Sequence, residues 1–163
     1  MTIRVDATLL PGAKEPTYST DGSSAFDLYF HTLQGRRGDL NGTTSILVGT
    51  GVHMAVPEGH VLLLFPRSGL GIVHQITLTN CVGVIDSDYR GEIKVGLSIA
   101  RTPSLGEGAF VPGPASRISL DGLGKGDRIC QGIILPYPRI EFDILETLPT
   151  TARGSGGLGS TGA

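Results

Sequence analysis

Four short stretches carry residue types suited to chemistry on a charged ligand. The first is Pro66-Arg67-Ser68-Gly69-Leu70-Gly71. An apolar run ends there and presents a guanidinium, a hydroxyl and two glycines. Glycines let backbone N–H groups approach a ligand, and a following helical turn would add its positive end. Arg67 supplies a forked donor matched to phosphate oxygens, and Ser68 a hydroxyl. The same hexapeptide also reads as a β-turn with a solvated arginine, so by itself it leaves the choice open. The second stretch is Gly83-Val84-Ile85-Asp86-Ser87-Asp88-Tyr89-Arg90-Gly91-Glu92-Ile93. Apolar flanks around a polar tip predict a hairpin. Its carboxylates could be turn formers and nothing more. In a functional reading Asp86 is a general base acting on water, and Tyr89 a flat wall beside a sugar or base.

The third stretch is Gly126-Asp127-Arg128-Ile129-Cys130-Gln131-Gly132. A turn enters an apolar strand, and Gln131 falls inside it. A buried amide left unpaired costs about 1–3 kcal/mol, so Gln131 bonds either backbone or a ligand. The fourth is Arg153-Gly154-Ser155-Gly156-Gly157-Leu158-Gly159-Ser160-Thr161-Gly162. It satisfies the spacing of a dinucleotide fingerprint, but no strand-turn-helix surrounds it. It reads either as a frayed end or as an arm whose glycines free backbone donors and whose Arg153 neutralises phosphate charge.

The elements that must hold these clusters are strands. With 25 Gly and 10 Pro beside 39% hydrophobic residues, the chain predicts many short strands joined by turns. Period-two alternation marks strands within Thr2–Leu10, Ala25–Leu33, Ile46–Val56, His60–Phe65, Gln75–Cys81, Gly91–Ala100 and Ile129–Pro136, with a hairpin between the fifth and sixth. Ile140–Leu148 could add a last one, and Gln34–Thr44 reads as a loop dense in Gly and Arg. The best helical candidate is a single turn near Ser68–Ile72. The expectation is an all-β antiparallel sandwich or jelly roll over 1–149, with a surface excursion at about 101–126 and a Gly-rich arm over 150–163.

With 163 residues, 13 Lys+Arg and 15 Asp+Glu, one domain without a basic face is expected. Direct nucleic-acid binding is therefore not anticipated. No apolar stretch reaches the ~20 residues of a membrane span, which predicts a soluble intracellular protein. Cys81 and Cys130 lack zinc-site spacing and read as buried small side chains in a reducing compartment. His31, His53, His60 and His74 also lack metal spacing.

The order of the clusters carries more than any one of them. Ser24-Ala25-Phe26-Asp27-Leu28, Pro66–Gly71, Gly83–Glu92, Gly126–Gln131 and Arg153–Gly162 together resemble the five motifs of the trimeric dUTPase family, over about residues 4–162. The resemblance implies a jelly-roll homotrimer (the β-clip type) with sites shared between subunits and an exchanged C-terminal arm. It implies a hydrolase that splits dUTP into dUMP and pyrophosphate with Mg2+. By motif match, Arg67, Ser68, Gly69 and Gln131 would hold phosphates. Asn80 and the stretch from Gly83, Val84 and Ile85 to Lys94 would form a uracil pocket. Asp86 would activate the attacking water and touch the 3′-hydroxyl, and Tyr89 would exclude a 2′-hydroxyl. Asp27 would lie near the metal through water. Arg153, Leu158 and Gly159 would close over the nucleotide.

Two positions depart from that pattern. Ala25 stands where the family usually has glycine, and Leu158 where many members place an aromatic residue, which implies weaker arm closure. Two rivals remain within this fold: a dCTP deaminase, and a dUTPase-like regulator acting through the 101–126 excursion. The Asp86-x-x-Tyr89 spacing and Arg153 favour the hydrolase.

Overall fold

The structure, a computed structural model, describes residues 2–40, 43–100 and 120–157. Its strands are β1 (Asp6–Leu9), β2 (Thr17–Tyr18), β3 (Phe26–Tyr29), β4 (Thr32–Leu40), β5 (Thr43–Gly49), β6 (Val52–Ala55), β7 (His60–Phe65), β8 (Ile76–Leu78), β9 (Gly83–Ile85), β10 (Lys94–Ala100) and β11 (Arg128–Pro136). Among the described residues, helix is confined to a π-type turn at Gly69–Val73 and a 3₁₀ turn at Leu120–Gly122. The expected single turn near Ser68–Ile72 is therefore present. No described helix is long and apolar enough to cross a membrane.

Every strand pair is antiparallel. The pairs build a five-stranded sheet, β2-β3-β11-β7-β9, a four-stranded sheet, β4-β5-β10-β8, and a small ribbon, β1-β6. Inward residues of both large sheets meet in one core: Leu28, Leu62 and Ile129 from the first, Val48, Leu78 and Leu97 from the second. This all-β antiparallel architecture is the one the alternation predicts, with β6 and β8 burying every second residue.

Four local expectations need correction. The stretch Ile46–Val56 is two strands, not one. Thr50 and Gly51 part β5 from β6, with Gly51 at φ +71° and the Thr50 hydroxyl donating to the Ile93 carbonyl at 2.8 Å. A side chain at Gly51 would run into Ala13 and His31, so the turn requires glycine. Gln34–Thr44 is largely strand rather than loop. β4 pairs with β5 from Thr32↔Gly49 to Leu40↔Thr43, with two register shifts. It is a sheet edge, where bulges and charged residues are the common way to blunt pairing with another chain. Ile140–Leu148 forms no strand and lies exposed. Finally, β9 and β10 do not make a hairpin. β9 pairs with β7 and β10 with β5 and β8, so residues 86–93 cross from one sheet to the other.

Of the expected excursion, residues 101–119 fall outside the described residues. Its end is packed rather than exposed: Leu120 and Leu123 are buried. At the centre of the five-stranded sheet, Gly132 lies between Phe26 and Leu64. A Cβ there would stand 2.7 Å from the Phe26 ring and 3.0 Å from Leu62 Cδ1. We predict that Gly132→Ala lowers stability by about 1–3 kcal/mol, the usual cost of overpacking. Chemical denaturation at neutral pH measures it, and an unchanged midpoint would contradict the packing described.

Candidate active site

Two clusters of candidate residues form on the five-stranded sheet and its margins. The first is built by register. Asp27 on β3 lies opposite Gln131 on β11, and Gln131 lies opposite Phe65 on β7. Between Arg128 and Cys130 the ladder shifts by one residue, a β-bulge. In regular alternation Arg128 and Gln131, three apart, would face opposite sides of the sheet. The extra residue re-aims Arg128, so it pairs with Tyr29 and shares a face with Gln131 and Asp27.

Side chains join there. Asp27 is buried, at 6% exposure. Arg67 Nε donates to Asp27 Oδ1 at 2.8 Å. Ser19 Oγ donates to Oδ2 at 3.0 Å, and Arg128 Nη1 to the same oxygen at 3.3 Å. Gln131 Nε2 donates to the Pro66 carbonyl at 3.1 Å, tying β11 to the start of the arginine-bearing turn. That answers the backbone-or-ligand question for one of its polar ends. Ser68 and Gly69 are exposed beside Arg67. A Cβ at Gly69 would meet nothing within 4 Å, and its φ is not left-handed, so the fold itself does not require glycine there.

Behind this face sits Cys130, fully buried. Burial pushes its thiol up to about 12; the Asp27 charge adds to the rise and Arg67 opposes it. Cys81 differs from expectation: it is exposed, in a tight turn between β8 and β9 with φ +63°.

The second cluster is a groove of about 270 Å³ between β9 and β10. Asn80, Gly83, Val84, Ile85 and Lys94 all line it, so the structure brings together the residues expected around a base. Asp86 follows directly, exposed. Tyr89 turns back over its own loop: its hydroxyl donates to the Glu92 carbonyl at 3.0 Å, and a Cβ at Gly91 would collide with that hydroxyl. Glu92 braces the loop from behind, accepting from Gly51 N at 2.8 Å and Gln34 Nε2 at 2.6 Å.

The two clusters do not meet within one chain. β9 runs antiparallel to β7, with Ile85 opposite Leu62 and Gly83 opposite Leu64. Asp86 therefore continues toward the start of β7, while Arg67 follows its end. Extending the register puts Asp86 level with Val61, six residues before Arg67, so at about 3.3 Å per residue they stand roughly 20 Å apart. Arg153 is exposed and bonds only locally, Nε to the Gly156 carbonyl at 3.0 Å. Leu158 and Gly159 lie outside the described residues. A larger trough, about 990 Å³, opens between the N-terminal segment and β2–β3, lined by Ile3, Tyr18, Ser19 and Ile134. It holds none of the expected site residues and touches the first cluster only through Ser19.

Sequence reasoning missed Ser19 and Arg128. Arg128 lies within the Gly126–Gln131 motif, but the bulge that turns it toward Asp27 has no signature in alternation. Among the described residues no group of three or more His, Cys, Asp or Glu could hold a metal. A metal here would need ligands beyond the described side chains. Asp27 Oδ1 accepts one hydrogen bond from the described residues, which leaves it a further lone pair.

A family model described as dUTPase matches residues 12–102. The deoxyuridine 5'-triphosphate nucleotidohydrolase of Finegoldia magna is 42% identical over 149 residues, 90% of each chain. The chain belongs to the dUTPase family. The enzyme of the same name from Treponema pallidum is 40% identical over 98% of each chain. Among solved structures, a point mutant of Staphylococcus bacteriophage 80alpha dUTPase with dUpNHpp aligns over 99% of this chain and 100% of its own, with TM-score 0.73 and 21% identity. A mutant dUTPase from phage phi11 of S. aureus, described for its coordination of a structural Mg(II) ion, aligns at TM-score 0.65 and 19% identity over 89% of this chain and 98% of its own. At these identities the two phage structures attest the dUTPase fold.

The two cysteines offer a direct check on the burial of the first cluster. Native protein treated with iodoacetamide near pH 8 should be modified at Cys81, with Cys130 unreactive until unfolding. The unfolded Cys130 thiol ionises near 9 and the folded one near 12, so its contribution to stability is intact below pH 9 and is lost as pH rises toward 12. Over that window Cys130→Ala should lose stability less steeply than wild type, by about 1 kcal/mol per pH unit. Equal slopes in denaturant titrations would refute the burial.

Proposed function

We propose that this protein hydrolyses dUTP to dUMP and pyrophosphate, at sites shared between subunits of a homotrimer. Membership in the dUTPase family gives the reaction class, and the names of its relatives give the substrate. The observation that carries the shared site is the separation just described. Arg67, Gln131 and Asp27 stand at one end of β7, and Asp86 with the base-sized groove at the other. One nucleotide cannot use both ends of a single chain. A neighbouring copy, offering its Asp86 end to the Arg67 end of the first, closes the gap.

The C-terminal segment supports association. Ile140, Phe142, Ile144 and Leu148 are 70–86% exposed, at alternating positions. A stripe of that size is uncommon on a free surface and fits burial against another chain. The arm from 150 to 163 would then continue across the boundary, carrying Arg153, Leu158 and Gly159 to a neighbour's nucleotide.

In this reading the groove takes uracil through the backbone of Gly83, Val84 and Ile85 and the side chain of Asn80. Arg67, Ser68, Gly69 and Gln131 bind the phosphates, and the open space at Gly69 suits a close oxygen. Lys94 lies at the groove's edge. Asp86, exposed and in no ion pair with the described residues, accepts a proton from the water that attacks the α-phosphorus. Tyr89, held flat by its bond to Glu92, walls the sugar and leaves no room for a 2′-hydroxyl. Magnesium would be held chiefly by phosphates and water, as suits an ion that dehydrates reluctantly. Asp27 would reach it through a water on Oδ1. When bound, the ion neutralises charge on the leaving pyrophosphate.

Pyrophosphate release from a panel of nucleoside triphosphates tests the assignment. We expect dUTP to be preferred over UTP and dCTP. Asp86→Asn should lower kcat by about 10²–10⁴-fold, the range for losing a general base. Ammonia released from dCTP would point to the deaminase instead. Subunit sharing has its own test. Asp86→Asn and Arg67→Ala chains, each nearly inactive, are unfolded, mixed equally and refolded. In random trimers about a quarter of the sites join an intact Arg67 to an intact Asp86, so about a quarter of wild-type activity should return. No recovery would place both residues in one chain's site.

A further inference from the structure

Asp27 accepts from three donors, and their division between its two oxygens has a consequence for the phosphate site. We infer that Arg128, aided by Ser19, is a positioning residue that keeps Arg67 turned toward phosphate. The inference rests on the proposed phosphate role of Arg67.

A carboxylate and a guanidinium left to themselves favour a two-point, fork-to-fork contact. In that geometry Asp27 would also take one of the terminal nitrogens of Arg67. Here it takes only Nε, through Oδ1. Oδ2 is occupied by Arg128 Nη1 at 3.3 Å and Ser19 Oγ at 3.0 Å, and these two also bond each other at 3.3 Å. The competing donors block the second contact. Among the described residues nothing bonds Nη1 or Nη2 of Arg67, the end suited to two phosphate oxygens.

Charge points the same way. One buried carboxylate between two guanidinia leaves a local charge of +1 (+1 + 1 − 1). Without Arg128 the Asp27–Arg67 pair would be neutral, and Arg67 would attract an anion less. The bulge at Arg128–Cys130 supplies the geometry, since regular pairing would point Arg128 away.

The test uses the full-length protein and two readouts, calorimetric binding of inorganic tripolyphosphate and steady-state hydrolysis of dUTP. Arg128→Gln should weaken tripolyphosphate binding and raise KM for dUTP by about ten- to a hundredfold, the equivalent of one lost bond to a charged group. The fall in kcat should be smaller, since Arg128 touches no reacting atom. Arg128→Lys, which restores the charge, should recover most of the loss. In an Asp27→Asn background Arg128→Gln should add little, because its effect runs through that carboxylate. Ser19→Ala, which is far less prone to misfold, should shift both readouts in the same direction. Binding and KM within twofold of wild type in Arg128→Gln, or full additivity with Asp27→Asn, overturns the inference and leaves the dUTPase reading intact. A wild-type protein that binds neither tripolyphosphate nor dUTP overturns the phosphate role of Arg67 and this inference with it.

Discussion

A buried carboxylate gathers side chains from beside three other strands of its own sheet. Asp27 is almost wholly removed from water, a costly position for a charge unless donors replace the lost hydration. Ser19 next to β2, Arg67 beyond β7 and Arg128 at the head of β11 provide them. Elements from distant parts of the sequence are thereby fixed to a common point. Removing one donor would leave the carboxylate short of a partner, and the cost of that would be felt through the whole sheet end. The apolar core beneath makes the arrangement rigid. Leu28, Ile129 and Cys130 are fully buried directly behind it.

Much of this was legible from residue types alone. Apolar residues recurring at period two located β3, β7, β10 and β11, although β3 is buried on both faces and the bulge in β11 buries two neighbours in succession. The Pro66–Gly71 stretch announced a turn by its glycines, and the short helical turn follows. What escaped the pattern was decided by pairing. β4 carries glycines and arginines that argue against a strand, yet the neighbouring β5 supplies a ladder that overrides propensity. The segment 140–148 has the opposite fate. It alternates like a strand, but it pairs with no strand of its own chain among the described residues.

The same distinction explains the site. Gln131 stands out because an amide in an apolar run demands a partner, and Pro66 provides one. Arg128 does not stand out, because an arginine beside a turn is ordinary. Its importance comes from a one-residue shift in register, which changes the face a side chain occupies without changing composition. The groove residues are close in sequence and line one groove, but they do not form the expected hairpin. β9 joins one sheet and β10 the other, so the groove is a gap between sheets and its floor is part of the core.

That topology is what motivates the proposed division of labour between chains. A strand pair that runs antiparallel sends its two exits in opposite directions. β7 delivers Arg67 at one end, and β9 delivers Asp86 at the other. A fold that built both groups on adjacent strands of one sheet could not also bring them to one ligand, except by adding long loops to reach back. Rotational symmetry removes the difficulty. If copies pack with the β7 exit of one against the β9 exit of the next, every boundary unites the two halves. In such an assembly folding, association and chemistry would depend on one another. Each chain would hold its cation in place through Asp27, but only the boundary would supply the base.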